Sequence, residues 1–318
     1  MDYNSSEQVN LTDIQGKHFD LIVAASGYEK RCISCFLNSN IISSKKAVFA
    51  FKEKLSELHR KENDRFFKSR NFEFITFSGE DADPVIHFFQ TYFNECEKEN
   101  IEILIDISCM TKTWEAAIVQ FFTDYENLAK SIAVYFYYTP AEFNLPRKSK
   151  PVRTAVSITR RDKPGVESEK PVAMIISLGI ESEKAEYIIN KLKPSQLILM
   201  YADPSYDKRY VEEILKRNRK IIDKIEIRNF INYPIDNINA ISEKLVNLCI
   251  DLRLNFNVII IPLGPKIFTL ISLLLAARYP DIEIWRVSSG GGDPVYDRTP
   301  LPDPLIYKIS FIHDEESI

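Results

Sequence analysis

The sequence predicts an α/β chain of two tandem Rossmann-like units, each a mostly parallel sheet flanked by helices. Three observations carry this prediction. Short β-branched runs alternate with stretches of helical period along the whole chain, the pattern of βα units. The chain has 318 residues, about two domains' worth. Landmark residues also recur at near-constant spacing: Gly27 and Gly179 lie 152 positions apart, Asp83 and Asp236 153, Cys96 and Cys249 153, and Lys112 and Lys266 154. A fixed period of this kind marks tandem repetition.

In the first half, strands are expected at 19–25, 47–51, 72–77, 101–107 and 131–137. Each is a short run rich in Val, Ile, Phe or Tyr. Helices are expected at 29–37, 56–68, 84–98 and 113–127; the last two place apolar residues three and four apart, which turns one face inward. The second half repeats the sense, with strands at 172–177, 196–201, 224–230, 257–262 and 283–287, and helices at 183–191, 208–220, 238–251 and 266–277. A last strand at 305–311 closes the chain. The units are therefore set at 1–145 and 171–318.

Between them, 146–170 holds Pro146, Pro151, Pro164 and Gly165, with eight basic and three acidic residues. It reads as a linker or a β-arm. Its stretch from Arg147 to Arg161, ending in the pair Arg160-Arg161, could touch phosphates. Without interleaved aromatics, a solvated connection is the favoured reading and nucleic acid is not the expected partner.

Composition narrows the function classes. With 41 Lys+Arg against 45 Asp+Glu and a net charge of −4, the whole chain has no field that would draw a polyanion. An odd count of five cysteines behind a polar N-terminus points to a reducing cytoplasm without disulfides. The longest apolar run, 267–277, is shorter than the roughly 20 residues a bilayer requires, so no membrane helix is expected. Cys32 and Cys35 have C-x-x-C spacing but no second pair or nearby histidines, so neither a metal nor a cofactor is expected.

Candidate binding residues gather where strands give way to helices. Ligands sit there in an open parallel sheet, because free N–H groups and the positive ends of helices converge. Gly27 and Gly179 follow the first strand of each half, where the missing Cβ lets a ligand approach the backbone. Neither belongs to a full G-x-G-x-x-G, which disfavours dinucleotide redox chemistry. Glu29 and Glu181 stand two residues further on, and Arg31 could reach a phosphate bidentately or lie on a solvated helix start. Lys112 and Lys266 each begin the helix after the fourth strand, adding a point charge that suits phosphate. Ser108 and Thr111 offer hydroxyl donors or an N-cap, with capping the safer role for Thr111. Asp106 could be a catalytic carboxylate, a ribose ligand or the partner that fixes Lys112. Gly264 precedes Lys266, and Ser288 and Ser289 open a Ser-Ser-Gly-Gly-Gly-Asp loop that holds three of only nine glycines. That loop reads as a mobile cover for the site or as a connector.

Met110-Thr111-Lys112 and Gly264-Pro265-Lys266, each between a strand and an apolar helix, resemble the ligand loop of CRISPR-associated Rossmann fold (CARF) sensor domains, which often carry Gly-Thr-Lys there. The loops holding Gly27 and Gly179 resemble the other ligand-contacting element of that family. The resemblance implies sensing of a cyclic oligonucleotide or related nucleotide by two such units, in prokaryotic antiphage defence. No ribonuclease-like Arg–His spacing accompanies them, so the expected output lies in a separate effector or complex subunit. Two alternatives stay open: a nucleotide or nucleoside hydrolase using Asp106, Cys109, Glu29 or Glu181, and a non-catalytic scaffold subunit.

Overall fold

The structure, a computed structural model, describes residues 3–124, 131–145, 151–159, 170–290 and 295–312. In chain order, the first elements are β1 (Tyr3–Val9), α1 (Leu11–Ile14), β2 (His18–Ser26), a 3₁₀ turn (Lys30–Ile33), α2 (Ser34–Asn38), β3 (Ile42–Phe51), α3 (Arg60–Ser69) and β4 (Glu73–Phe77). They are followed by α4 (Asp83–Glu95), β5 (Asn100–Asp106), α5 (Lys112–Asp124) and β6 (Ser131–Tyr138). After β7 (Thr154–Ser157) come β8 (Val172–Ser177), α6 (Ser182–Leu192), β9 (Gln196–Ala202), α7 (Lys208–Arg217), α8 (Arg219–Ile222) and β10 (Phe230–Tyr233). The chain ends with α9 (Ile238–Asn255), β11 (Asn257–Pro262), α10 (Lys266–Arg278), β12 (Glu283–Ser288) and β13 (Leu305–Ile312).

Two mixed, mostly parallel sheets result, as the alternating pattern predicts. The first has seven strands in the order β1-β13-β6-β5-β2-β3-β4, and the second has six, β10-β9-β8-β11-β12-β7. Read in the same sense from β13 or from the edge strand β7, the two orders correspond strand for strand, β1 being an extra strand of the first. At that side of each sheet one strand runs antiparallel, β13 against β6 and β7 against β12, with β1 added antiparallel outside β13, while the inner neighbours run parallel. Central strands are buried on both faces and so lack alternation. In β2, Leu21, Ile22, Val23, Ala24 and Ala25 are all buried, as are Ile103, Leu104 and Ile105 of β5 and Ile259, Ile260 and Ile261 of β11.

Each unit has its own core. In the first, Phe19, Phe67, Phe72, Leu104, Tyr135 and Ile306 pack together; in the second, Met174, Ile188, Leu199, Ile214, Ile261 and Val287 do so. The units are Met1–Glu142 with Val295–Ile318, and Phe143–Pro294. This corrects the expected boundaries 1–145 and 171–318. The strand expected to close the second half, β13, pairs instead with β6 over eight residues of the first sheet. The expected linker supplies β7, which pairs with β12 through Thr154 to Ser157, so the β-arm alternative holds there. Arg160-Arg161 lies outside the described residues.

Two further elements differ from expectation. The helix expected at 29–37 is a 3₁₀ turn followed by the short α2. The strand expected at 224–230 begins only at Phe230, because 227–229 form a 3₁₀ turn that leaves Ile227 90% exposed. Among the described residues no helix is long and apolar enough to cross a membrane.

Candidate functional site

The strand order locates the site. From β2 the chain steps outward to β3 and β4, then crosses back to β5 and β6 on the other side of β2. The loops after β2 and β5 therefore leave the sheet at a topological switch point, the place where ligands bind in open parallel sheets. In the second unit β8 and β11 hold the same places. Gly27, Glu29 and Arg31 follow β2, while Ser108, Thr111 and Lys112 follow β5. Gly179 and Glu181 follow β8, and Gly264 and Lys266 follow β11.

In the first unit the loop after β2 is clamped from below. Asn63 of α3, 1% exposed, donates through Nδ2 to the carbonyls of Gly27 and Glu29, both at 2.9 Å. Ser26 Oγ donates to Asp64 at 2.6 Å, and Arg60 links that carboxylate at 2.9 Å to the Phe51 carbonyl at 2.6 Å. Arg31 is neither solvated nor free for a ligand. It is 4% exposed, with Nε 2.6 Å from Glu29 Oε2 and Nη1 donating to the Thr139 carbonyl at 3.1 Å. Burial opposes its charge most strongly, but the Glu29 carboxylate together with Cys109 and Tyr138 holds the guanidinium above its ordinary pKa. The expected choice between a phosphate ligand and a solvated helix start is thus replaced by a buried ion pair.

Across the switch point, Asp106 ends β5 and its Oδ1 accepts from Ser108 N–H at 2.9 Å, while Ser108 Oγ accepts from Thr139 N–H at 2.8 Å. Both side chains are buried and brace the loop against the end of β6. Thr111 Oγ1 donates to Gly79 O at 2.8 Å and accepts from Trp114 N–H at 3.1 Å, which caps α5 as expected. Lys112 is the first residue of α5 and half-buried. Cys109 Sγ lies 3.8 Å from Glu29 Oε2. Burial pushes its thiol up, and the neighbouring Cys32 and Glu29 push it further.

The second unit repeats this plan with different partners. Asn218, at the junction of α7 and α8 and 1% exposed, donates through Nδ2 to the Gly179 carbonyl at 2.9 Å. Glu181 Oε2 accepts from Lys184 Nζ at 2.9 Å, and Lys184 is only 8% exposed. Lys266 begins α10 as Lys112 begins α5, both helices being 13 residues long. The glycines here serve chain packing. A Cβ on Gly179 would stand 2.3 Å from the Leu263 carbonyl oxygen, and one on Gly264 would stand 2.3 Å from Ser177 Oγ. The backbone that approaches Gly179 is thus the loop after β11, which takes the place expected for a ligand. Gly27 is looser: its Cβ would meet the Phe51 ring at 3.3 Å.

Ser288 ends β12, where its Oγ accepts from Gly290 N–H at 3.0 Å and from Arg286 Nη2 at 3.2 Å; Ser289 is fully buried. Residues 291–293 of the glycine loop lie outside the described residues. Among the described residues no three His, Cys, Asp or Glu side chains converge as a metal site requires.

The structure brings together the predicted residues of each switch point and adds several that sequence reasoning missed. These are Asn63 and Asn218, the buried partner Lys184, and His59, Asp297 and Arg298 beside the loop after β2. The asparagines lie 155 positions apart, close to the spacing of the other landmarks, and that signal was available. Asp297 and Arg298 gave none, because they follow a strand of the other half in sequence. No protein-family model matches the chain, and no curated protein matches it significantly.

Proposed function

We propose that this chain is a nucleotide-binding regulatory protein whose Rossmann-like units take an anionic nucleotide at their switch-point loops. The CARF-like loops make a cyclic oligonucleotide the ligand class, antiphage defence the setting and a separate effector or complex subunit the output. One observation carries the reading. Both units bring a carbonyl-clamped glycine, a glutamate paired to a buried cation and a helix-starting lysine to the carboxyl ends of corresponding strands. Parallel sheets that serve only as scaffolds have no reason to repeat a buried, carboxylate-paired cation there, since taking a charge out of water costs free energy. A hydrolase using Cys109 is less well supported, because a thiol pushed up by burial is a poor nucleophile near neutral pH.

Calorimetric titration of the intact chain with ATP and with a cyclic oligoadenylate tests the reading. Lys112→Ala and Lys266→Ala should each weaken binding about ten- to a hundredfold, the worth of a charge-assisted contact of roughly 1.5–3 kcal/mol. Their melting temperatures should stay near that of the parent. Undiminished affinity in both variants removes the lysines from the site, and turnover of either nucleotide favours the hydrolase.

A further inference from the structure

The switch-point loops of the first unit are crossed by a segment of the same unit. Ahead of β13, residues 295–301 run without helix or strand and are pinned at two places. On one side, Asp297 Oδ1 accepts from Lys30 N–H at 3.0 Å and from Arg298 N–H at 2.8 Å, and Oδ2 lies 3.0 Å from His59 Nε2. Arg298 Nε stands 3.6 Å from Glu29 Oε1, and its guanidinium lies 4.8 Å from the centre of the Tyr296 ring. On the other side, Thr299 O accepts from Glu142 N–H at 2.9 Å, Leu301 N–H donates to Pro140 O at 3.0 Å, and Ala141 bridges Pro300.

The first pin lies beyond the end of β2 and the second beyond the end of β6, and only β5 separates these strands in the sheet. Two strand spacings are about 10 Å, which extended chain covers in about three residues. Asp297 to Pro300 is such a span, so the segment passes over the carboxyl end of β5.

We propose that residues 295–301 form a strap over the first unit's nucleotide site, and that the Asp297 carboxylate holds a place that an anionic group of the ligand takes when the strap opens. This rests on the nucleotide-binding reading above. Asp297 and Glu29 are both carboxylates that face donors that suit phosphate: His59 and two main-chain N–H groups for Asp297, and two guanidinium groups for Glu29. The Asp297 pin is releasable. Its side chain is 30% exposed and that of His59 39%, and a contact so open to water is weak. A phosphodiester matches the carboxylate it replaces in charge and in free oxygens and so can take the same donors, and a terminal phosphate such as that of ATP offers more of both. Because the strap must open first, the apparent affinity falls by the fraction of molecules that are open.

Asp297→Ala in the intact chain tests this by two readouts, with Asp297→Glu as the conservative variant. Without ligand, amide hydrogen exchange over 28–31 and 296–301 should quicken in Asp297→Ala and return towards the parent rate in Asp297→Glu. In calorimetry with ATP and a cyclic oligoadenylate, Asp297→Ala should bind the active probe about tenfold more tightly, as loss of a closed state requires. Unchanged exchange overturns the strap, whatever the ligand result. Faster exchange with equal or weaker affinity overturns the gating role alone, and binding of neither probe to either protein overturns the nucleotide reading together with the gate.

Discussion

Single residues decide how the strand-end loops are held. Asn63 and Asn218 each fill a buried position with an amide that donates to a loop carbonyl, Asn63 to those of Gly27 and Glu29 and Asn218 to that of Gly179 as well as to that of Ile214 in α7. Replacement by alanine strands that carbonyl without a donor, at roughly 1–3 kcal/mol for each buried group. Asn63→Ala and Asn218→Ala should therefore lower stability measurably in urea unfolding, and an unchanged midpoint for both would show that the clamps carry no weight. Gly179→Ala should cost roughly 1–3 kcal/mol, since its Cβ would meet a main-chain carbonyl at 2.3 Å, whereas Gly27→Ala meets only a phenyl ring and should cost less. These roles were only partly legible in the sequence. A glycine after a strand signals close approach, but not whether ligand or chain approaches. An asparagine within a helix looks like an ordinary surface residue until the strand end comes down on it.

Buried thiols give a pH signature at the same scale. Burial pushes the Cys249 thiol up to about 12 from an ordinary 9.0. A proton held more tightly in the folded than in the unfolded state stabilises the fold fully below the ordinary value, and that stabilisation is lost as pH rises through the folded one. Stability should therefore fall from about pH 9 upward, and the fall should be shallower in Cys249→Ala. Identical alkaline profiles for the two proteins would contradict this. Cys109 should likewise alkylate slowly at neutral pH in the folded chain and quickly once unfolded.

At the level of elements, the inner strands and most helices follow from their own residues, because a strand buried on both faces must be apolar throughout. Edge strands do not. β1 pairs only with β13 and its sequence, Tyr-Asn-Ser-Ser-Glu-Gln-Val, carries no apolar alternation. Nothing in β7 or β13 records which sheet each joins, since an antiparallel strand can be added to any sheet with a free edge and a matching face. That is why the sequence-based boundary at 171 misplaced both. A fragment spanning Phe143–Pro294 keeps all six strands of the second sheet and should unfold cooperatively. A fragment spanning 171–318 lacks β7 and carries β13 without β6 or β1, so it should be less stable or aggregate along its unpaired edge. Equal melting of the two fragments would show that the edge strands are dispensable.

For the whole molecule, the recurring landmarks correspond to two sheets of matching strand order, and the predicted residues gather at matching ends of corresponding strands. The proposed ligand class comes from the resemblance of these loops to CARF domains, while the Glu29–Arg31 and Glu181–Lys184 pairs and the asparagine clamps emerged only with the fold. Hydrogen exchange of the intact chain, with and without a saturating cyclic oligoadenylate, tests the central claim most directly. The account expects protection at 27–31 and 107–112 in the first unit and at 178–182 and 263–266 in the second, with little change at the opposite ends of the strands. Exchange at these four loops that is the same with and without the nucleotide would contradict it.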